Sequence, residues 1–334
     1  MNNFDIDIVV LWVDGSDPEW IKTFNQYAPK DKQKEIDINH ERYRDNGLFK
    51  FWFRGIEKNA PWVRKIHFVT SGKKPEWLNI NHPKLNWVKH EDYIPKEYLP
   101  TFSSHPIELF INKIPDLAEH FIYFNDDIYL INKSSPNDFF KKGLPILNAE
   151  VTLGWLKYDD NIFSQICFND IRLINKHFKF RYITKKTFKW FINNRPKNSV
   201  KNFLYLPQQS IPGFSTRHTA NPYLKSILNE VWEKETSVLL ETCKNRFRSQ
   251  SDVNQYLFYF WHLCTNTFHP KLKKDSKYYG INTLKSKDIK KSLYNRKTKI
   301  ICINDDCSEN LIELYNQIYN LFQEKFPEKS SFEI

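Results

Sequence analysis

The sequence predicts an α/β fold: a mixed, mostly parallel sheet flanked by helices, with a helix-rich second half. Three observations predict it. Short β-branched and aromatic runs, such as IDIVVLWV from Ile6, KIHFVT from Lys65 and FIYF from Phe121, have the length of buried strands and are closed by turn residues. Amphipathic stretches fall between such runs, in the order strand–helix–strand–strand expected of an α/β sheet. Three of the strands also run into acids: Asp14 and Asp17, Asp126 and Asp127, Asp305 and Asp306. Ligands of open α/β sheets bind beyond the carboxyl ends of the strands. Acids repeated there point to a cation or phosphate site more than to a solvated surface.

In chain order, Ile6–Val13 is the first strand and a central one. Gly15, Ser16, Asp17 and Pro18 make a turn, and Pro18-Glu19-Trp20 opens a helix that Ser16 or Asp17 can cap. A helix start also offers free N–H groups to a phosphate. Residues 22–40 read as a lysine-rich surface excursion. Leu48, Phe51, Trp52, Gly55 and Ile56 are spaced as the packed face of a helix ending before Pro61. Arg42 and Arg54 bracket that helix, and Arg42 is the better ligand candidate. Lys65–Thr70 is the second strand, Pro75–Leu78 starts a short helix, and Leu85–Val88 is the third strand. A helix over Pro106–Leu117 carries Glu108 towards the rim that holds Asp127. An acid early in a helix is also favoured by the dipole alone.

The stretch FIYFNDDIYL, Phe121–Leu130, organises the chain. Two adjacent carboxylates repel and call for a cation or free water. On a strand only one of the pair would face the site. Residues 150–210 hold aromatics and lysines without a clear period; helix is expected near 160–195 and a loop at Tyr205–Gln209. His218 lies in a turn-rich loop and suits proton transfer near neutral pH. A helix is expected over Tyr223–Glu235 and another over Val253–Leu263, with Ser251 as a possible cap. Arg246 and Arg248 stand before the second, a plausible place for phosphate. Lys299–Asn304 is the last strand and Leu311–Phe326 the closing helix.

The totals narrow the class. The chain has 334 residues, 40% of them hydrophobic and 16% aromatic, which suits a folded core and not disorder. Only 8 are glycine, and no glycine-rich phosphate loop is present. The net charge of +11 suits a polyanionic partner. No zinc-finger or RRM signature supports nucleic acid. Five cysteines without a CxxC pair fit a reducing compartment. The N-terminus lacks a secretory pattern, and no stretch reaches the length of a bilayer span. A cytoplasmic protein is expected.

Four blocks carry a family resemblance. They are IDIVVLWVDGSDPEW; the run from Arg42 (RYRDNGLFKFWFRG) through TFSSHPIEL to Leu130; the His218 loop with FRSQSD, Phe247–Asp252; and ICINDD with the terminal SSFE. Together the sequence resembles the stealth family of sugar-phosphate transferases, which includes bacterial capsular polysaccharide hexose-1-phosphotransferases and the animal GlcNAc-1-phosphotransferase. The resemblance implies a Rossmann-like or glycosyltransferase-A-like sheet in a single catalytic domain spanning 1–334. Within it, 1–130 would bind nucleotide-sugar and metal, 131–270 would form a helix-rich acceptor and phosphate part, and 271–334 would complete the core. It also implies transfer of a sugar-1-phosphate from a UDP- or GDP-hexose to a hydroxyl of a glycan acceptor, which is lipid-linked in one version of the expectation. A peripheral position at the inner membrane face follows from the family role and charge.

By position, Glu108, Asp127, His218 and Arg248 would be catalytic. Asp14, Gly15, Ser16, Asp17, Arg42, Asp45, Arg54 and Asn125 would bind substrate. Asp127, with Asp126 and Asp305, would hold Mg²⁺ or Mn²⁺. The resemblance leaves open whether His218 or Glu108 takes the acceptor's proton. A metal-dependent glycosyltransferase that moves the sugar without its phosphate is the alternative enzyme. A basic glycan- or membrane-binding protein is the non-enzymatic one, and it leaves the acid-ended strands unexplained.

Overall fold

The computed structural model describes residues 4–29, 36–37, 43–44, 46–153, 162–192, 196–272, 274–305 and 311–334. Arg42, Asp45 and Asp306 lie outside them.

The first half comprises β1 (Ile6–Leu11), α1 (Pro18–Tyr27), β2 (Ile36–Asp37), α2 (Phe49–Asn59), β3 (Ile66–Thr70), β4 (Leu85–Lys89), α3 (Ser104–Leu109), β5 (His120–Phe124), β6 (Ile128–Leu130), β7 (Phe140–Lys141) and β8 (Leu144–Leu147). The second comprises α4 (Ile162–His177), α5 (Phe180–Lys185), α6 (Pro196–Leu204), β9 (Asn221–Leu224), α7 (Lys225–Lys244), β10 (Arg248–Ser249), α8 (Tyr256–Cys264), β11 (His269–Pro270), β12 (Ser276–Gly280), α9 (Ser286–Leu293), β13 (Ile300–Asn304) and α10 (Ile312–Lys325).

The main sheet has the order β4-β3-β1-β5-β9. Its first four strands are parallel, and β9 closes the edge antiparallel to β5. The fold is therefore mixed α/β with a mostly parallel central sheet, as the sequence predicts. Strand alternation divides the core. Ile6, Ile8 and Val10 of β1, with Ile122 and Phe124 of β5, pack towards α2 and α10, while Val9, Phe121 and Tyr123 face the layer that contains α3, α4, α7 and α8. Close approach ties α2 to β6: a Cβ on Gly55 would stand 2.6 Å from the Leu130 carbonyl oxygen. Most of the aromatic surplus is spent in these cores.

Several elements depart from the sequence reading. The expected surface excursion at 22–40 begins as the last turn and a half of α1, whose Trp20 and Phe24 are buried. Pro75–Leu78 is a turn, and Leu78 bridges to Glu333. The helix expected over Pro106–Leu117 is α3 followed by a 3₁₀ turn at Ile111–Lys113. Pro115 ends the helical run at Lys113, because the residue before a proline avoids the helical region, and Ile114 has ψ 125°. Tyr223 belongs to β9 and not to a helix; Pro222 is tolerated there because the strand is an edge. The following helix runs on to Lys244, and α8 starts at Tyr256 without a Ser251 cap. The last strand, β13, is not in the main sheet. It lies between β12 and β6 in a second sheet, which brings the segment after the NDD turn against the C-terminal strand.

Candidate active site

A cavity of about 250 Å³ opens at the carboxyl ends of β1 and β5. Its wall includes Trp12, Val13, Arg44, Ser104, Glu108, Asn125, Asp126, Asp127, His218, Arg248 and Asp305. All four residues expected to be catalytic meet there, from places up to 140 positions apart in sequence.

Asn125-Asp126-Asp127 connects β5 to β6 as a turn, with Ile128 N donating to the Asn125 carbonyl at 3.2 Å. Strand alternation does not apply across a turn, so both acids line the cavity, contrary to the expectation that one would face away. The turn is held to β13 by Ile303 N on the Asp127 carbonyl, 3.0 Å. His218 Nε2 lies 3.2 Å and 3.1 Å from the two Asp127 carboxylate oxygens and 3.2 Å from the Asn125 amide nitrogen. Burial opposes charge on this imidazole, but the Asp127 carboxylate prevails through its field and hydrogen bond. The His218 pKa is accordingly raised. The buried Cys302 thiol of β13 donates to Asp127 Oδ2 at 3.3 Å. Desolvation, and then the nearby Asp127 charge, push that thiol far above its ordinary pKa, so it stays protonated.

Glu108 comes from α3. Ser103 caps this short helix by accepting from His105 N. The carboxylate is buried yet hydrogen-bonded, accepting from Tyr123 OH at 3.0 Å and from Gln255 N at 3.3 Å. Arg248 comes from β10 and donates to Ser104 Oγ at 3.0 Å. Its segment is fastened to α3 on both sides: Phe102 N donates to the Arg246 carbonyl at 2.7 Å, and His105 Nδ1 meets Asp252 Oδ2 at 2.7 Å. Trp20, Phe24, Phe102 and Phe247 pack together beneath that junction. Arg246 is spent structurally on the Pro100 carbonyl and the Tyr27 ring.

Asp305 also lines the cavity, accepting from Asn46 Nδ2 at 3.3 Å with Arg44 at 3.8 Å. Asp126, Asp127 and Asp305 thus offer hard carboxylate oxygens to one space. Carboxylate oxygens are the ligand type that suits Mg²⁺ or Mn²⁺. Among the described residues, the three ligand-capable atoms found within 4.8 Å of one another are those of Asp127, His218 and Cys302, and of these the thiol is a soft donor ill matched to Mg²⁺ or Mn²⁺.

Other expected contacts fall elsewhere. Arg54 does not reach the cavity. Its guanidinium grips Glu333 through two 2.7 Å bonds and the Phe326 carbonyl at 2.8 Å, anchoring the C-terminus to α2. An arginine on the core face of α2 must find a buried acid, and SSFE supplies it. The β1 loop lines the cavity only as far as Val13. Beyond it, Asp14 accepts from Ser16 N and Oγ, and Asp17 caps α1 through Glu19 N. Gly15 is required by crowding, since a Cβ there would lie 2.5 Å from that of Tyr43. Arg42 and Asp45 are outside the described residues. Arg44, Asn46, Ser104 and Cys302 escaped the sequence reading. Arg44 had a signal, being two residues from Arg42 in RYRDNG; Cys302 had none beyond its place on an acid-ended strand.

Comparison with known proteins supplies the family. Models of stealth protein conserved regions 1 and 2 match residues 4–32 and 42–146. The chain is 40% identical to a capsular polysaccharide phosphotransferase, WcwK, of Streptococcus pneumoniae, covering 98% of this chain and 99% of that one. It is 39% identical to the receptor polysaccharide phosphotransferase WefC of Streptococcus oralis over 98% and 99%. It is 36% identical to the exopolysaccharide phosphotransferase cps2G of Lactiplantibacillus plantarum over 99% and 96%. Among solved structures, the galactosyltransferase LgtC aligns over 94% of this chain and 95% of its own with TM-score 0.41 and 9% identity, a likeness too slight to carry weight. End-to-end identity with these phosphotransferases, together with the two conserved-region matches, makes this chain a transferase that belongs to the stealth family.

Proposed function

We propose that this protein transfers a hexose-1-phosphate from a UDP- or GDP-hexose to a hydroxyl of a glycan acceptor in capsular or cell-surface polysaccharide synthesis. The observation that supports this best is the meeting of Glu108, Asp127, His218 and Arg248 in one cavity with two further acids. In the reaction the acceptor oxygen bonds to the β-phosphorus. The bond from that phosphorus to the bridging oxygen breaks, and a nucleoside monophosphate leaves. Such chemistry asks for charge neutralisation, positioning and a proton acceptor.

Arg248, held by Ser104, presents a guanidinium to the phosphoryl oxygens. Asp126, Asp127 and Asp305 are the residues that would hold a divalent cation, which when bound supplies positive charge against the diphosphate. His218 takes the acceptor's proton. With its Nε2 proton directed to Asp127, Nδ1 is the basic atom, and the carboxylate stabilises the imidazolium that forms. Glu108 is buried among its own donors and orients the Tyr123 hydroxyl and the start of α8. Mass spectrometry of products from a panel of UDP- and GDP-sugars tests the reading. UMP or GMP with a phosphodiester product supports it; UDP or GDP would mean that the sugar moves without its phosphate.

A further inference from the structure

The positive charge of the chain is not spread along it. Between Asp170 and Glu230 there are 12 Lys and Arg residues and no Asp or Glu. The remainder holds 38 basic and 39 acidic residues, so this one segment accounts for the whole surplus. It also contains the C-terminal half of α4, and all of α5 and α6.

Helix α6 is packed inside out. Asn198 and Asn202, four residues apart, face the core; Asn202 accepts from Val151 N at 3.0 Å and donates to the Ala149 and Trp190 carbonyls at 2.8 Å and 2.7 Å. Val200, Phe203 and Leu204, at the spacing of one helical stripe, face outward, Phe203 at 63% and Leu204 at 70% exposure. The stripe continues into the neighbouring turn, where Phe191 lies against Phe203 with ring centroids 6.2 Å apart. Phe188 there is 83% exposed, and Ile192 and, on α5, Tyr182 are exposed as well. Arg181, Lys185, Lys186 and Lys197 are exposed on the same elements, and none meets a carboxylate among the described residues. A helix of a water-soluble surface turns these residues the other way. Exposed aromatic and aliphatic groups accompanied, among the described residues, by these unpaired cations match the chemistry of an anionic bilayer, where apolar groups enter the acyl boundary and lysines meet headgroup phosphates.

We propose that the face formed by α5, the Phe188–Phe191 turn and α6 docks this protein on anionic phospholipid membrane. The proposal does not depend on the donor or on the chemistry assigned to the cavity. None of these side chains lines it.

Sedimentation of the full-length chain with vesicles tests it, using equal parts phosphatidylglycerol and phosphatidylcholine against phosphatidylcholine alone. Binding is expected to the mixed vesicles and to weaken with salt. The triple variant Phe188→Ser, Phe203→Ser, Leu204→Ser should bind about tenfold or more weakly, with unchanged circular dichroism and activity on a soluble acceptor. Lys185→Glu with Lys186→Glu, which alters only exposed charge, should weaken binding by about fivefold or more per residue. Failure of the native chain to bind mixed vesicles overturns the proposal, as does equal binding to pure phosphatidylcholine, or undiminished binding by both variants. So does a native dimer that the triple variant dissociates while neither form binds lipid, which would assign the face to a second copy of this chain.

Discussion

Two aspartates, one within β1 and one in the turn just past neighbouring β5, each paired with a histidine, show how position decides use. Asp7 is the second residue of β1 and is wholly buried. Arg64 binds both its oxygens at 2.8 Å and 2.6 Å, His67 Nε2 lies at 3.0 Å, and Ala118 N donates at 2.8 Å. The other nitrogen of His67 is engaged by Asn86, 2.9 Å. That cluster is saturated and closed. Asp127 stands just past the carboxyl end of β5, with 21% of its side chain exposed, and its histidine is more open still. Both borders a cavity with further acids and an arginine. The lesson is that an Asp–His pair becomes a site where the sheet leaves it unsaturated and accessible, and a structural fastening where the surrounding donors fill every lone pair.

The sharpest way to break this comparison is Asp127→Asn. It should lower turnover by about 10²–10⁴-fold while the melting temperature stays where it was, because it removes charge from a place that the fold does not depend on. Near-native rates would remove Asp127 from the chemistry. Asp7→Ala should do the opposite. Leaving buried His67 without its acceptor, and half-buried Arg64 with Asp116 as its remaining close partner, should cost about 1–3 kcal/mol of stability in denaturant titration, with turnover per folded molecule unchanged.

The pH dependence sharpens the contrast. Burial alone would raise the Asp7 and Glu333 carboxyls, but Arg64 and Arg54 respectively hold both below their ordinary values of 3.8 and 4.5. Their contribution to stability is complete above those values and is lost as pH falls through the lower folded-state ones. Asp7→Asn and Glu333→Gln should therefore each show a shallower loss of stability on acidification below about pH 4.5 than the native chain. An acid limb as steep as the native one would show that neither pair is kept charged. The smallest effect is expected for Cys302→Ser, which keeps a donor to Asp127 but shortens it; turnover should fall by about threefold to tenfold, in the range of one neutral hydrogen bond. A loss as large as that of Asp127→Asn would make the thiol a direct participant.

Much of this was legible in the sequence. The β-branched and aromatic runs IDIVVL and FIYF, the Asp17-Pro18 start of α1 and the acids beyond β5 and β13 are local features, set by strand propensity and turn chemistry. Their functional assignment rested on the family resemblance, since spacing alone does not say which acids meet. The errors were also local. Pro115 stopped the helical run after α3 at Lys113, a sheet edge drew Tyr223 into β9, and a turn where a strand was assumed let Asp126 join Asp127.

By itself the sequence determined where strands end and that acids wait there, because backbone geometry and adjacent residues suffice for both. Only the tertiary structure decided that His218 and Arg248 reach Asp127 and Glu108, that Arg54 is consumed by Glu333, and that α6 turns its apolar stripe outward. Those outcomes depend on partners 80 to 280 positions away, or on which side of a helix finds a buried carbonyl to bond. A charged or amide side chain is drawn to whichever long-range partner offsets its desolvation, and no local pattern names that partner.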